Sequence, residues 1–234
     1  MSSIIFPGWY KKRMAKNTLV PQQARSRESL RKLLKAAAEV LGQHGVEGTT
    51  IPRIAQHAGL TPGAIYRRFR DKDALLETVI LGILERQDER LRASLTPAMA
   101  RQIPLPVFAE QLINSMVVSY RANANLLYAL RQFVQGRCNT PFWKKATKWE
   151  MSTYEHLLAL FLTHRKAIRH PDPKTALSLG LMMVISTLFE LVANPTDKTV
   201  WKGLLPPNDQ ALKRELTRAF LNYLGVEKDV EHKR

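Results

Sequence analysis

The sequence has one cysteine, Cys138, so neither a disulfide framework nor an all-cysteine metal site can form within the chain. This cysteine usage is typical of a reducing cytoplasm. The longest apolar stretch, 176–193, lacks the continuity of a membrane span, because three hydroxyl side chains and Glu190 interrupt it. The apolar run at 4–6 is too short for the core of a signal peptide. We therefore expect a soluble, cytoplasmic protein with no membrane partner.

The chain also lacks the residue patterns of an enzyme. Its six histidines form no pair spaced i, i+4 for a metal, and Cys138 has no base close to it in the sequence. We therefore predict no catalytic residue, no metal ligand and no cofactor. A catalytic site assembled from residues far apart in the sequence remains an open alternative.

Acidic residues are scarce relative to basic ones: 20 Asp and Glu stand against 36 Lys and Arg, which gives a net charge of +16. This excess favours a partner that carries phosphates, with nucleic acid ahead of an anionic membrane surface. Residues 1–24 have no helical period and form a basic arm with Lys11, Lys12, Arg13 and Lys16. Two interpretations of the arm stay open, a solvated tail or a segment that contacts DNA.

The first regular pattern is an amphipathic helix that begins near Ser26, which can cap it. Gly42 and Gly45 lie where the helix ends, since a helix end often needs a residue that tolerates positive φ. The apolar face consists of Leu30, Leu33, Leu34, Ala37, Ala38 and Leu41.

Residues 51–69 then predict two short helices around a tight turn. Thr50 and Thr61 can cap these helices, a proline follows each cap within the first turn, and Gly59 allows the sharp turn between them. The side chains predicted to pack inward are Ile51, Ile54, Ala55, Ala58, Leu60, Ile65 and Phe69. This arrangement is typical of a helix-turn-helix.

The outer side of the second short helix suits DNA. Tyr66, Arg67 and Arg68 form an aromatic and basic run, and arginine can donate two parallel hydrogen bonds to guanine or hold a phosphate. Gly63 and Ala64 are small enough for a close approach to the groove. A plain turn with solvated arginines would also fit, but the exposed run favours a helix in the major groove.

Residues 26–80 resemble the DNA-binding domain of TetR-family transcriptional regulators. The first helix ends in GQHGVEGTT, and IPRIAQHAGLTPGAIYRRFRDKDALL follows. The family pattern of Ala and Gly four apart, Tyr-x-x-Phe and Lys-x-x-Leu falls here on Ala55 and Gly59, Tyr66 and Phe69, and Lys72 and Leu75.

The resemblance implies DNA contacts by Thr50, Thr61, Gly63, Tyr66, Arg68 and Lys72. The chain departs from the pattern in the second helix, where many members carry a basic residue second and this chain has Pro52, with Arg53 next. The predicted DNA contacts are therefore Thr50, Arg53, Thr61, Pro62, Gly63, Ala64, Tyr66, Arg67, Arg68 and Lys72.

The rest of the chain predicts helices without strands, because no stretch alternates apolar and polar residues for long. Three prolines at 97, 104 and 106 mark a linker after the fourth helix. The later helices are predicted near 105–122, 124–137, 141–168, 173–193 and 208–224. The fold class is all-α, an N-terminal three-helix helix-turn-helix domain followed by a helical ligand-binding and dimerisation bundle.

The predicted organisation has five parts. They are the basic arm at 1–24, the helix-turn-helix domain at 25–72, a connecting helix at 73–95, an effector-binding and dimerisation domain at 96–228, and a tail at 229–234. The helix at 173–193 is apolar nearly all round, and the last helix carries an apolar stripe of Leu212, Leu216, Phe220 and Tyr223. By resemblance, these two helices would pair with their counterparts in a homodimer.

A sensor domain like that of the family would enclose a pocket for a small-molecule effector. Candidate lining residues are Phe108, Leu112, Met116, Tyr120, Phe133, Trp149, Tyr154, Met182 and Met183, although such residues at helical spacing are also typical of a core. The hypothesis is a ligand-responsive, sequence-specific regulator, a repressor released from a palindromic double-stranded operator by its effector. A basic protein that coats nucleic acid without sequence preference is the alternative.

Overall fold

The computed structural model describes residues 21–193 and 206–226, and within these ranges it is built of helices without a strand. The first three helices are α1 (Pro21–Gly48), α2 (Ile51–Ala58) and α3 (Pro62–Tyr66). They are followed by α4 (Lys72–Ser94), α5 (Pro97–Arg101), α6 (Leu105–Ala122), α7 (Ala124–Gln135), α8 (Pro141–Leu162), α9 (Pro173–Leu188) and α10 (Asp209–Tyr223). A 3₁₀ turn occupies Arg165–Ala167, and a π-helical turn, Phe189–Ala193, extends α9.

Side-chain caps set where most of these helices begin. In seven helices the residue before the first turn is Thr, Asp or Asn, and its side-chain oxygen accepts a hydrogen bond from the backbone N–H three residues later. The capping residues are Thr50, Thr61, Asp71, Thr96, Thr140, Asp172 and Asn208. The predicted caps at Thr50 and Thr61 are thus confirmed.

The start of α1 differs from the prediction, whereas the predicted helix break at Gly45 is confirmed. The helix begins at Pro21, so Ser26 lies inside it and does not cap it. Gly45 has a φ of +67° and breaks the helix, as a positive φ favours glycine. Gly42 stays helical, and its lack of a side chain lets α1 approach Leu126 on α7, whose Cβ would lie 3.4 Å from an added Cβ.

Two other predicted boundaries are wrong. The supposed linker after α4 contains α5, because Thr96 caps a turn that Pro97 can start without losing a needed N–H. The segment 141–168 is not one helix, since α8 ends at Leu162. There the Thr163 hydroxyl donates to the Leu160 carbonyl at 2.7 Å, and the chain tightens into the 3₁₀ turn.

Three apolar clusters hold the helices together. The first joins α1, α2, α3 and α4 and includes Leu33, Ile54 and Ile65. The second joins the ends of α1 and α4 to α7 and α8, with Phe133 packed edge-on against Phe142 at 5.5 Å. The third fills the second domain between α5, α6, α8, α9 and α10. The helix-turn-helix therefore has its own core, and a separate cluster attaches it to the second domain.

A buried polar cluster fixes the C-terminal end of α4 to α8. Asp88 is only 3% exposed, accepts a hydrogen bond from Arg92 at 2.8 Å and accepts a second from Thr153 at 3.2 Å. Arg92 also donates to the backbone carbonyl and the hydroxyl of Ser152, at 2.8 and 2.9 Å. These contacts satisfy a carboxylate that would otherwise be costly to bury.

His156 extends this cluster and ties it to the end of α4. Its Nε2 lies 2.8 Å from the carbonyl of Leu95, so Nε2 carries the proton and donates. Its Nδ1 then accepts from Arg92 at 3.4 Å. The imidazole thus links the residue that ends α4 to the charged pair inside the cluster.

The N-terminal end of α4 has a simpler polar attachment to the second domain. Arg137, just after α7, forms an ion pair with Asp73 at 2.6 Å, and its guanidinium lies 3.4 Å from the centre of the Phe133 ring. The Asp73 side chain is 49% exposed. This pair lies one residue from Lys72, close to the helix-turn-helix.

α9 combines a packed inner face with an exposed apolar outer face. Gly180 meets α10 closely, because a Cβ there would lie 2.9 Å from the ring of Phe220. On the opposite face Leu179, Met182 and Met183 are 41%, 55% and 43% exposed. By length and composition alone, Pro173–Leu191 could cross a membrane, with a mean hydropathy of 1.4. In the structure, however, one side of the helix is buried in the core of the second domain and the other side is exposed.

α10 directs its apolar stripe toward its own chain. Leu212 and Phe220 are buried in the core of the second domain, and Leu216 and Tyr223 are partly buried against it. The expectation that this stripe faces a partner therefore does not hold for Leu212 and Phe220. Their burial follows from the close contact between α9 and α10 at Gly180.

Candidate nucleic-acid interface

The turn between α2 and α3 depends on the backbone of Gly59. This residue has a φ of +65°, its N–H bonds to the carbonyls of Ala55 and Gln56, and the N–H of Leu60 donates to Ala55 at 2.9 Å. An added Cβ at Gly59 would meet no atom within 4 Å, so the need for glycine comes from the positive φ alone. Thr61 then caps α3 by accepting from Ala64 at 3.3 Å.

The inward residues of this turn anchor it to α1 and α4. Ile51, Ile54, Ala55 and Ile65 are buried, as predicted, and Leu60 and Phe69 pack partly buried against the same cluster. Ala58, also predicted to pack inward, is half-buried. With Ile65 fixed inside, the opposite side of α3 must face away from the domain.

Several predicted DNA contacts lie together on that open side. Tyr66 is 56% exposed, the largest exposed fraction among the large hydrophobic side chains of the described residues. Arg67, Thr61, Pro62 and Gly63 are exposed and Ala64 is half-buried. No described residue hydrogen-bonds to the Arg67 side chain. We call Thr61, Gly63, Tyr66 and Arg67 the reading surface.

The other predicted cations are engaged within the domain. Arg68 donates to Ser29 Oγ at 3.2 Å and to the carbonyl and hydroxyl of Ser26 at 3.2 and 3.3 Å. Lys72 donates to the carbonyl of Val46 at 3.3 Å. Each of these side chains stabilises the contact of α1 with the helix-turn-helix.

Arg53 and Thr50 flank the reading surface at the start of α2. Arg53 donates through its guanidinium to the carbonyl of Gly48, and its backbone N–H lies 3.4 Å from the Thr50 hydroxyl. Both side chains are exposed beyond these contacts. The hydrogen bonds of Arg68 to Ser26 and Ser29 were not predicted. Arg68 lies 39 positions after Ser29, and nothing in the local sequence around the serines indicates that partner.

The residues predicted for an effector pocket fall into separate places. Phe108 and Leu112 are buried in the core of the second domain, where Phe108 packs on Phe161 at 5.0 Å. Met116, Tyr120 and Tyr154 are partly buried against that core. The structure therefore brings five of the nine candidates together.

The other four candidates lie elsewhere. Phe133 belongs to the cluster that joins the two domains, since α7 turns it toward α1 and α4. Met182 and Met183 are on the outer face of α9, and Trp149 is half-buried. Helical spacing identifies an apolar side on each helix, but it does not show which of these sides pack against one another in the same core.

The sequence did not predict a set of polar and aromatic residues beside the core of the second domain. The Phe189 ring lies edge-on to Tyr120 at 5.2 Å and carries the Arg131 guanidinium at 4.7 Å. Burial raises the pKa of Tyr120 to about 12, although the charge of Arg131 opposes the shift. Burial likewise raises the pKa of Glu150 against the opposing effect of Arg131. The sequence does place a charged residue close to an aromatic one on each of α6, α7 and α8, and this pattern could have indicated the group.

Within residues 21–193 and 206–226, no three His, Cys, Asp or Glu side chains are grouped as metal ligands would be. His164 has a buried Nε2 without a hydrogen-bond partner, and burial lowers the pKa of this imidazole. Its ring packs against Phe108 at 5.8 Å, within the apolar core.

Comparison with known proteins matches the same region of the chain. The family model described as bacterial regulatory proteins, tetR family, matches residues 33–79. The HTH-type transcriptional regulator TtgR of Pseudomonas putida is 30% identical over 96 residues, 38% of this chain and 46% of that regulator. The HTH-type transcriptional repressor KstR2 of Mycolicibacterium smegmatis is 34% identical over 65 residues, 28% of this chain and 31% of the repressor. The matches thus span less than half of these relatives.

Solved structures extend the likeness of the fold to most of the chain. The regulator FadR of Bacillus subtilis, in complex with stearoyl-CoA, aligns with a TM-score of 0.59 at 17% identity, over 82% of this chain and 98% of FadR. NalD of Pseudomonas aeruginosa, the secondary repressor of an efflux pump, aligns with a TM-score of 0.53 at 21% identity, over 87% and 99%. The helix-turn-helix region of this chain is thus similar to that of the tetR family of bacterial regulatory proteins, and its described helices share the fold of these solved structures.

Proposed function

We propose that this protein is a homodimeric, sequence-specific transcriptional repressor that leaves a palindromic operator when a small-molecule effector binds. The reading surface is the observation that carries the proposal. An exposed tyrosine and an arginine without a hydrogen bond to any described residue lie on a short helix held rigidly by Ile65 and Gly59. Arginine at such a position can read guanine, and the tyrosine hydroxyl can donate to a phosphate.

Selection of bound sequences from random DNA tests the specificity. The expected product is a palindrome whose half-sites lie about one helical turn, ~34 Å, apart. Tyr66→Ala and Arg67→Ala should each weaken operator binding about 10-fold to 100-fold, because each removes a contact worth ~1–3 kcal/mol. Arg101→Ala, an exposed arginine on α5, is the matched control and should bind like wild type.

The selection also separates the proposal from coating of nucleic acid without sequence preference. A specific regulator binds its operator ~10³-fold or more tightly than random DNA at the same salt concentration. Equal affinity for both, with a steep salt dependence, would support the nonspecific protein instead. Affinities should therefore be measured on both duplexes across a salt series.

The outer face of α9 supports the homodimer. Leu179, Met182 and Met183 lie at i, i+3 and i+4 on one side of the helix, and an apolar stripe of this kind needs a cover. A twofold pairing of α9 would also place two reading surfaces for a palindrome. The outward residues Arg214 and Glu215 of α10 are exposed and polar, so we centre the interface on α9.

The mass in solution tests this interface. Met182→Glu should give a monomer at micromolar concentration, because it places a charge within the apolar stripe that the proposed dimer would bury. Met151→Glu is the control, since Met151 is 52% exposed against 55% for Met182 but lies on α8. A wild-type monomer, or a dimer insensitive to Met182→Glu, would contradict the proposed interface.

The effector is proposed to bind in the second domain, beside Met116, Tyr120 and Tyr154. Two helices meet there through the Tyr154 hydroxyl, which donates to the carbonyl of Ser178 at 2.5 Å. An effector can release the operator only if it binds the released state more tightly than the DNA-competent state. A compound that raises the melting temperature and weakens operator binding should lose both effects in Tyr120→Ala.

The same proposal gives the protein a cytoplasmic location and a binding role without catalysis or a cofactor. The relatives that match the helix-turn-helix are regulators, and the outer face of α9 is assigned to the dimer and not to a membrane. Turnover of any compound that binds the second domain would overturn the non-catalytic part of the proposal.

A further inference from the structure

α3 is too short to fix its own orientation. It has five residues, and isolated helices shorter than ~12 residues are marginally stable in water. The Thr61 cap stabilises its start, and Ile65 and the flanking Phe69 attach it to the apolar cluster of the domain. Apolar contacts are non-directional, so they resist separation of α3 from the domain more than they resist its rotation. Directional contacts are therefore needed to set the orientation of the reading surface.

The two arginines that follow Tyr66 lie on different sides of the chain. The helical turn continues through them, since the N–H of Arg67 donates to Gly63 at 3.1 Å and that of Arg68 donates to Ile65 at 2.9 Å. Successive helical residues are about 100° apart, which places Arg67 about 200° from Ile65 and Arg68 only about 60° from it. Arg67 is accordingly exposed without a hydrogen bond to a described residue, whereas Arg68 lies on the side of α1.

Arg68 joins α3 to the first turns of α1 through three hydrogen bonds, which we call the α1–α3 contact. Its Nη1 donates to Ser29 Oγ at 3.2 Å, and its Nη2 donates to the carbonyl and hydroxyl of Ser26 at 3.2 and 3.3 Å. Both serines are in the described part of α1, whereas residues 1–20 of the predicted basic arm lie outside the described residues. The serines are three positions apart and so lie on one side of the helix. A planar guanidinium that bonds to both has a restricted orientation.

We propose that Arg68 is a positioning residue for DNA binding, which holds α3 against Ser26 and Ser29 of α1. The α1–α3 contact sets the angle at which Tyr66 and Arg67 meet the half-site. This inference rests on the proposed DNA binding by α3, and it gives Arg68 an indirect role where the sequence predicted a DNA contact. The adjacent arginines then have separate roles, DNA contact for Arg67 and orientation of α3 for Arg68.

The α1–α3 contact is tested first without DNA. Arg68→Ala, and Ser26→Ala combined with Ser29→Ala, should each raise the amide hydrogen-exchange rates of α3 about 3-fold to 10-fold, the range expected for the loss of hydrogen bonds. The serine variant keeps α1 helical, because alanine is the best helix former. Arg67→Ala is the matched control and should leave these rates unchanged. Wild-type exchange rates in Arg68→Ala, or faster exchange in Arg68→Ala but not in the serine variant, would overturn the proposal.

DNA binding then separates positioning from direct contact. The affinity of the same variants for the selected operator is measured across a salt series, with Arg101→Ala as the exposed control. Arg68→Ala and the serine variant should each bind about 3-fold to 10-fold more weakly. The slope of log affinity against log salt should stay unchanged, because no phosphate contact is lost. The variant with all three substitutions should be no weaker than Arg68→Ala, since both lack the same contact.

Two results would assign Arg68 a direct DNA contact and overturn its positioning role. The first is a salt slope that decreases in magnitude by ~0.9 in Arg68→Ala and not in the serine variant, which indicates a lost phosphate contact. The second is a loss of preference at one operator base pair in Arg68→Ala alone, which indicates a lost base contact.

The conservative variant Arg68→Lys gives an independent readout. It keeps the positive charge, but its single ammonium group lacks the planar fork that bonds to both serines. If Arg68 positions α3, this variant should resemble Arg68→Ala in both affinity and amide exchange. If it binds like wild type while α3 exchanges rapidly, the charge acts directly on DNA and the inference is wrong.

Failure of the proposed function gives a different result from failure of this inference. Wild type that binds operator and random duplexes equally contradicts the proposed function even when the exchange test succeeds. Failure of the exchange test overturns only the role of the α1–α3 contact. Thermal melting confirms that each variant is folded.

Discussion

The two ends of α4 are attached to the second domain in different ways. At the C-terminal end, Asp88 is buried and bonded to Arg92, and His156 links this pair to the carbonyl of Leu95, just after the helix. At the N-terminal end, the polar attachment among the described residues is the ion pair of Asp73 and Arg137, in which the aspartate is 49% exposed. The rest of the attachment at this end is the apolar packing of α1 and α4 on α7.

This difference bears on how the reading surface could move. Buried hydrogen bonds to charged groups have fixed geometry and are costly to break, whereas an exposed ion pair contributes ~0–1 kcal/mol. The polar contacts therefore hold α4 more firmly at its C-terminal end than at the end that follows α3. In the proposed dimer, a shift of that end would change the separation of the two reading surfaces, as the proposed release by an effector requires.

The largest expected effect comes from removing the carboxylate at the fixed end. Asp88→Ala should lower the free energy of unfolding by about 2–3 kcal/mol, because charge-assisted hydrogen bonds contribute ~1.5–3 kcal/mol and Arg92 keeps partial access to water. Urea unfolding measures the change. Glu89→Ala, an exposed acid on the same helix, should alter stability by less than ~0.5 kcal/mol. Equal losses in the two variants would contradict a fixed C-terminal end.

Acid should produce a smaller loss at the same site, because protonated Asp88 still fills its space. Burial by itself raises the pKa of Asp88, but hydrogen bonds from Arg92, Ser152 and Thr153 and the charge of Arg92 lower it overall. A lowered native pKa stabilises the fold above the unfolded pKa of ~3.9, and the gain is lost as the pH falls through the native value. Asp88→Asn should therefore reduce the acid dependence of stability measured by urea unfolding from pH 5 downward. An unchanged dependence would assign the effect to other carboxylates.

The elements of the first domain could be predicted from the sequence because their determinants are local. Thr50, Gly59 and Thr61 act on backbone groups within four residues, so spacing alone identifies the turn. The same local signal was present at Thr96 and Pro97, where a linker was predicted although a cap followed by proline favours a helix start.

Contacts between distant parts of the chain could not be predicted in this way. Asp88 and Thr153 are 65 positions apart, and a sequence shows neither which helices pack together nor which faces meet. For the same reason Phe133 was grouped with Phe108, although α7 turns it toward α1. At the site, the exposed position of Tyr66 followed from helical spacing, whereas the bonds of Arg68 to α1 depend on tertiary packing.

The smallest effect is expected at the N-terminal end of α4. A double-mutant cycle of Asp73→Ala and Arg137→Ala should give a coupling energy below ~1 kcal/mol in urea unfolding, decreasing as salt screens the charges. Arg137→Ala also removes the interaction with the Phe133 ring, but that change occurs with and without Asp73 and so cancels in the cycle. The matched cycle of Asp88→Ala and Arg92→Ala should give a larger coupling that changes little with salt. If the Asp73 pair couples as strongly as the buried pair, both ends of α4 are fixed, and a shift of the reading surface would have to arise between α4 and α3.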